Sequence, residues 1–315
     1  MSAVQIFSSV SFLAALVVLA TAAIGIWRVR GSTAMPAAGW AVAASLGFAL
    51  EMGVRSAGGF TDPAAATAIR LAVVSLSLCP AMSLLGAKRP QHGVWQLIVA
   101  TLAVVLSLPA LTALAMRPGS VPDVHLLARG LMLILVLVGW LNFVATGRGF
   151  AATMISLGQL ILMRPLWPID WPIDSYSEAL RLATSQPVSD CVAAVFVAVG
   201  SVLTQQFRLR ATRASSATVR DASLPSAHIA SIASLIDPPF LALRETLGAA
   251  WALRIAERFC TIAATRGWPC RLHFSGLAEG GDPADGQWQR DALRAFTSLM
   301  RRFVSKEWLY RHRSY

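Results

Sequence analysis

"GVWQLIVATLAVVLSLPALTALA", residues 93–115, runs 23 positions without a charged side chain. A helix rises 1.5 Å per residue and the hydrocarbon core is about 30 Å thick, so about 20 apolar residues are enough to cross it. Backbone polar groups in lipid must be satisfied within the segment, which selects a helix. Six further windows have the same character, at 4–27, 36–53, 68–87, 128–146, 149–163 and 189–206. The sequence therefore predicts an all-α polytopic membrane protein with about seven transmembrane helices and a small, mainly helical C-terminal domain. Six crossings is the alternative, because "GFAATMISLGQLILM" at 149–163 is short enough to be a re-entrant arm and only Gly147 and Arg148 separate it from the fifth window.

Composition agrees. Of 315 residues, 56% are hydrophobic and 14% charged, with a mean hydropathy of +0.59, which argues against an ordinary globular protein. The net charge of +11 is uneven: residues 1–206 carry 11 basic against 7 acidic side chains, and residues 207–315 carry 16 against 9. The bundle is read as 1–206, a basic juxtamembrane linker as 207–238 and the small domain as 239–315. Without a zinc-finger, helix-turn-helix or RNA-binding signature, the basic tail points to anionic lipid and not to nucleic acid.

Orientation follows from the basic residues beside the spans. No basic residue precedes the first span and Arg28 and Arg30 follow it, the reverse of a cleavable signal peptide, so its N-terminus is placed outside. On that assignment Arg28, Arg30, Lys88, Arg89, Arg148, Arg208, Arg210 and Arg213 lie inside, and six arginines lie outside. The expected setting is a bacterial inner membrane with the tail in the cytosol.

The same assignment puts "WPIDWPID" at 167–174 outside. Proline at every fourth position favours extended chain, with Trp167 and Trp171 at the headgroup level and Asp170 and Asp174 in water. Ser175 and Glu178 then suit the start of a short surface helix. The alternative is a ligand lid or partner-docking loop.

Polar residues inside spans are the candidate sites. Gln96, Asn142 and Gln159 are the interior amides, with Asn142 and Gln159 on adjacent spans; amides of this kind join helices by hydrogen bonds. Glu51, Arg70 and Arg129 lie near outer helix ends, shallow enough to snorkel. Cys79-Pro80 pairs a soft ligand with a helix-bending proline, and Met82 is close, but no phosphorylation or nucleotide motif accompanies them, so a structural kink is the simpler reading. Neither lysine, Lys88 or Lys306, lies in a span, so no retinal Schiff base can form. The five histidines lack i, i+3 or i+4 ligand spacing. Cys79, Cys191, Cys260 and Cys270 show no finger or framework spacing. Ser275 in "FSGLAEGG" is not in a nucleophile elbow, and 277–286 reads as a surface loop. No cofactor, metal or catalytic residue is expected.

In the tail, Asp237-Pro238-Pro239 reads as punctuation before a helix at about 240–265, with Leu241, Leu247, Trp251, Ile255 and Phe259 on one face. "CRLHFS" alternates like a short strand. A last helix at about 286–309 sets Trp288, Phe296, Met300 and Phe303 against Arg290, Arg294, Arg301 and Arg302. Such a basic amphipathic helix suits a lipid surface, and so small a domain suits docking on the membrane, the bundle, a second copy or a membrane partner.

Leu78, Cys79 and Pro80, "LLGAKRPQ" at 84–91 with Trp95, "LPAL" at 108–111, Asn142, and Leu247, Gly248 and Trp251 resemble a group of bacterial multi-pass membrane proteins with no established activity. The likeness covers about half the chain, implies membrane placement and brings no catalytic or binding residue. The expected function is a non-enzymatic membrane role in assembly, sensing or partner recruitment. A transporter or channel component with a site near Asn142, Gln159 and Pro80 is the alternative, and a membrane enzyme acting on lipid a third reading.

Overall fold

The computed structural model describes residues 3–87, 92–116, 119–167, 185–221, 232–280 and 286–312. Among them, seven helices are long and apolar enough to cross a membrane. They are α1 (Ala3–Arg28), α2 (Met35–Ser56), α3 (Pro63–Leu85), α4 (His92–Met116), α5 (Leu126–Val144), α6 (Gly149–Met163) and α7 (Gln186–Asp221). The chain is a multi-pass membrane protein. The short sixth helix continues through a 3-10 turn at Arg164–Leu166, giving 18 residues and a length of about 27 Å.

Local signals set the helix starts. Asp62 accepts the Ala64 N–H at 2.8 Å and Pro63 occupies the first turn of α3, where its missing N–H costs nothing. His125 Nδ1 accepts the Leu127 N–H at 3.3 Å at the start of α5. Pro80 is accommodated inside α3, which runs on to Leu85.

In the bundle, α1 lies between α2 and α7, and α6 packs on α7. That last pair is close because Gly158 and Gly200 face backbone: a Cβ on either would meet the opposite helix's Ala193 or Ala151 carbonyl within 3 Å. Leu97 and Leu127 are 68% and 77% exposed, as a lipid-facing surface requires.

The C-terminal part comprises α8 (Ile232–Leu247), α9 (Ala249–Arg266), β1 (Cys270–His273), β2 (Gly276–Glu279), α10 (Gly286–Met300) and α11 (Lys306–His312). The strands pair antiparallel from Cys270 opposite Glu279 to His273 opposite Gly276. Its core joins Ile236, Phe240, Phe259, Phe296 and Trp308, and it also takes in Ala34 and Ala87 from bundle connections.

Several expectations are corrected here. Pro238 and Pro239 lie inside α8, where Ile232, Ile236, Phe240, Leu243 and Leu247 form one buried stripe. Burial of that stripe outweighs the local penalty of about 3 kcal/mol for proline in a helix. The stretch expected as a linker is helical to Asp221 and again from Ile232. Residues 277–279, the start of the stretch read as a loop over 277–286, belong to β2. The single helix expected over 286–309 breaks after Met300, because Phe303 and Val304 turn inward and Ser305 Oγ accepts the Trp308 N–H at 3.2 Å to start α11.

The tail sits on one end of the bundle. Thr33 donates to the Phe303 carbonyl at 2.8 Å, Ser305 donates to the Gly31 carbonyl at 2.6 Å, and Ser32 bridges Val304. Trp251 Nε1 donates to the Leu84 carbonyl at 2.7 Å, and the Gly147 N–H donates to Glu245 Oε1 at 3.1 Å. The α1–α2, α3–α4 and α5–α6 connections thus share the tail's side, the arrangement that an odd number of crossings imposes.

Candidate functional site

Among the described residues, the densest charge in the bundle is at the end away from the tail. Glu51 and Arg55 stand one turn apart near the end of α2, Arg70 about two turns into α3, and Asp190 one turn into α7. Because α2 and α3 form an antiparallel hairpin, these positions fall at one level. Arg70 grips Asp190 with both terminal nitrogens, at 2.8 and 3.0 Å, and its Nε donates to Glu51 Oε1 at 2.5 Å. Arg55 Nε donates to the same oxygen at 3.1 Å and lies 3.9 Å from Asp190 Oδ2. Gln186 Nε2 adds a 3.3 Å bond to Asp190. Two guanidinium groups balance two carboxylates, and Glu51 Oε2 is buried without a partner.

Glu51 is 1% exposed and Arg70 0%, so neither snorkels to water as the sequence suggested. Each is covered by the neighbouring helix that carries its counter-charge. Taken singly, neither residue signals the cluster. The available signal was the Glu51–Arg55 spacing on one helix face, opposite an arginine at equal depth on the next span.

Beside the cluster opens a cleft of about 190 Å³. Its walls come from Ser8 and Ser11 of α1, Met52 and Arg55 of α2, and Gln186 and Asp190 of α7. The Arg55 side chain, 19% exposed, also lies 5.3 Å above the Phe60 ring.

The amides expected to form an intramembrane site are apart. Gln96 Oε1 accepts from Trp40 Nε1 at 3.0 Å and Ser83 Oγ at 3.1 Å, tying α4 to α2 and α3. Gln159 Nε2 donates to the Ser77 carbonyl at 3.0 Å and hydroxyl at 3.2 Å, three residues before Pro80. Cys79 is buried against Val99 and Ala103, with its Sγ 3.5 Å from the Ser75 carbonyl.

Asn142 serves the tail. Its Nδ2 donates to the Leu247 carbonyl at 3.0 Å, and its Oδ1 accepts the Ala250 N–H at 3.1 Å. One amide thereby closes the last turn of α8 and the first turn of α9, whose terminal groups have no intrahelical partner. Between them Gly248 adopts φ +89°, and a Cβ there would come within 2.2 Å of Asn142 Nδ2. Leu84, Asn142, Leu247, Gly248 and Trp251 meet at this joint.

Trp167 is half-buried against the bundle core. Asp170, Trp171 and Asp174, with the surface helix expected after them, lie outside the described residues. Arg290, Arg294, Arg301 and Arg302 are exposed, but Trp288, Ala292, Phe296 and Met300 on the other face of α10 are buried in the tail core. The helix therefore does not lay its apolar face on lipid. The four cysteines are free. Compared with known protein families, curated proteins and solved structures, the chain matches none.

Proposed function

We propose that this is a non-enzymatic membrane sensor that couples occupancy of the cleft at Arg55 and Asp190 to the domain held at the other end of the bundle. One observation carries the reading: two of the helices that wall the cleft, α1 and α2, are joined at their far ends by a connection on which the tail rests. The α1–α2 connection pairs with residues 303–305, and α7 is tied to α1 near that end by Gln205, whose Nε2 donates to the Thr21 carbonyl at 3.1 Å. A ligand that shifts α2 against α7 moves the strip on which the tail rests. Buried charge within a span is costly and an ion pair there is weak evidence for stability, which favours a functional role for the cluster.

The setting we infer is a bacterial inner membrane, with the cleft outside and the tail in the cytosol. Arg28, Arg30 and Arg148 at tail-side connections support that orientation.

The test is hydrogen exchange on the full-length protein in nanodiscs, comparing wild type with Arg55→Gln and with Ser8→Phe, which fills the cleft. Coupling predicts altered exchange at Thr33 and Ser305 in both variants, with α5 amides unchanged. Unaltered exchange at Thr33 and Ser305 in a folded variant would sink the proposal.

A further inference from the structure

The arginine face of α10 has the chemistry of an anion site, and its place in the fold says which anion. Leu293, Arg294, Thr297, Ser298, Arg301 and Arg302 line an open groove of about 610 Å³. Arg294 is 82% exposed at its side chain and lies 3.5 Å from Asp291, a pair too open to neutralise it. Arg301 and Arg302 stand where the helix ends, a position whose free carbonyls would ordinarily repel an anion. Here the Thr297, Leu299 and Met300 carbonyls already accept from the N–H groups of Arg301, Arg302 and Val304. Lys306 and Glu307, both exposed, follow within one turn. The charged lining of the groove is therefore three arginines, with Asp291 beside the first of them.

Position decides the ligand. Phe303, next in the chain after Arg302, is bonded to Thr33 in the α1–α2 connection. That connection is at the membrane edge: Trp27, 64% exposed, ends one apolar span, and Met35, 47% exposed, begins the next. The Arg30 guanidinium stacks 3.5 Å from the Trp27 ring, a pairing suited to the headgroup layer. Arg301 and Arg302 are thus one or two residues from a segment pinned at headgroup depth, and an extended arginine spans about 7 Å, roughly two residues of extended chain.

We propose that this groove binds the phosphate headgroup of an anionic phospholipid in the leaflet beneath the tail. Arg301 and Arg302 are the main contacts, and the Ser298 hydroxyl is a further donor. The mode is electrostatic, since the apolar face of α10 is spent on the tail core. The inference is independent of the sensing reading above.

The experiment uses full-length protein in nanodiscs of phosphatidylcholine alone or mixed with phosphatidylglycerol, reading amide exchange at residues 300–305. Anionic lipid should slow exchange there by about thirtyfold, from roughly 1 kcal/mol for each of the two arginines near a charged surface. The slowing should vanish in Arg301→Gln/Arg302→Gln and persist in Arg258→Gln/Arg266→Gln, which alters exposed arginines of α9. Slowing that survives loss of Arg301 and Arg302 would overturn the proposal. Equal slowing in phosphatidylcholine nanodiscs by inorganic phosphate or by a polyglutamate peptide would overturn it too, in favour of a soluble anion or an acidic partner.

Discussion

Gly248→Ala should loosen the tail from the bundle. The residue has φ +89° and ψ −177°, a region that only glycine occupies freely, so a side chain there costs about 1–3 kcal/mol in backbone strain. The added Cβ would also come within 2.2 Å of Asn142 Nδ2 and displace that amide. Losing its bonds to Leu247 and Ala250 costs about 0.5–1.5 kcal/mol each. The two effects sum to roughly 2–6 kcal/mol, and the Ala250 amide, which lies in the cap, should exchange about thirtyfold faster or more. Asn142→Ala alone should cost about 1–3 kcal/mol by the same bonds. In that background Gly248→Ala should add only the strain, so the double variant should be less destabilised than the sum, by about 1–3 kcal/mol. Exchange at Ala250 within twofold of wild type, or strict additivity, would refute the account of the joint.

Removing one partner from the buried charge cluster should be severe: Arg70→Met strands Glu51 and Asp190 and should cost about 3–5 kcal/mol, seen as a lower thermal midpoint in detergent. Burial holds the Asp237 carboxyl above its ordinary value, against the bond it accepts from Leu277 N–H at 2.7 Å. The folded state then binds the extra proton, so Asp237 supports stability fully below about pH 3.9 and loses that contribution as pH rises through its folded value. Asp237→Asn should remove this dependence, and thermal midpoints between pH 4 and 7 will show whether the two proteins diverge in that direction. Burial, then the neighbouring Cys260 and Glu279, push the Cys270 thiol up to about 11, so a maleimide at neutral pH should label Cys270 slowly until the tail is unfolded.

The spans were legible because hydropathy is a property of each segment by itself: the window at 93–115 needs no neighbour to be read, and α4 covers it. The charge cluster was not, because Glu51 at the end of one span and Asp190 at the start of another acquire meaning only when α3 places Arg70 between them. Asn142 looked like an intramembrane amide for the same reason; its partners are more than a hundred residues away. In the tail, Asp237-Pro238-Pro239 is a local stop signal that tertiary burial overrides. The break at Gly248 left a trace in sequence, a glycine inside a helical pattern, which was readable as a site of close approach.

The account turns on the tail being seated on the connection between the first two spans, and one cross-link tests it. In full-length protein with its four native cysteines replaced, Ser32→Cys and Val304→Cys occupy bridge-paired positions and should join readily under mild oxidation in native membranes. Efficient intramolecular joining is the predicted result. If each cysteine is reachable by reagent but the pair does not join, the tail is not seated there, and the coupling between cleft and tail falls with it.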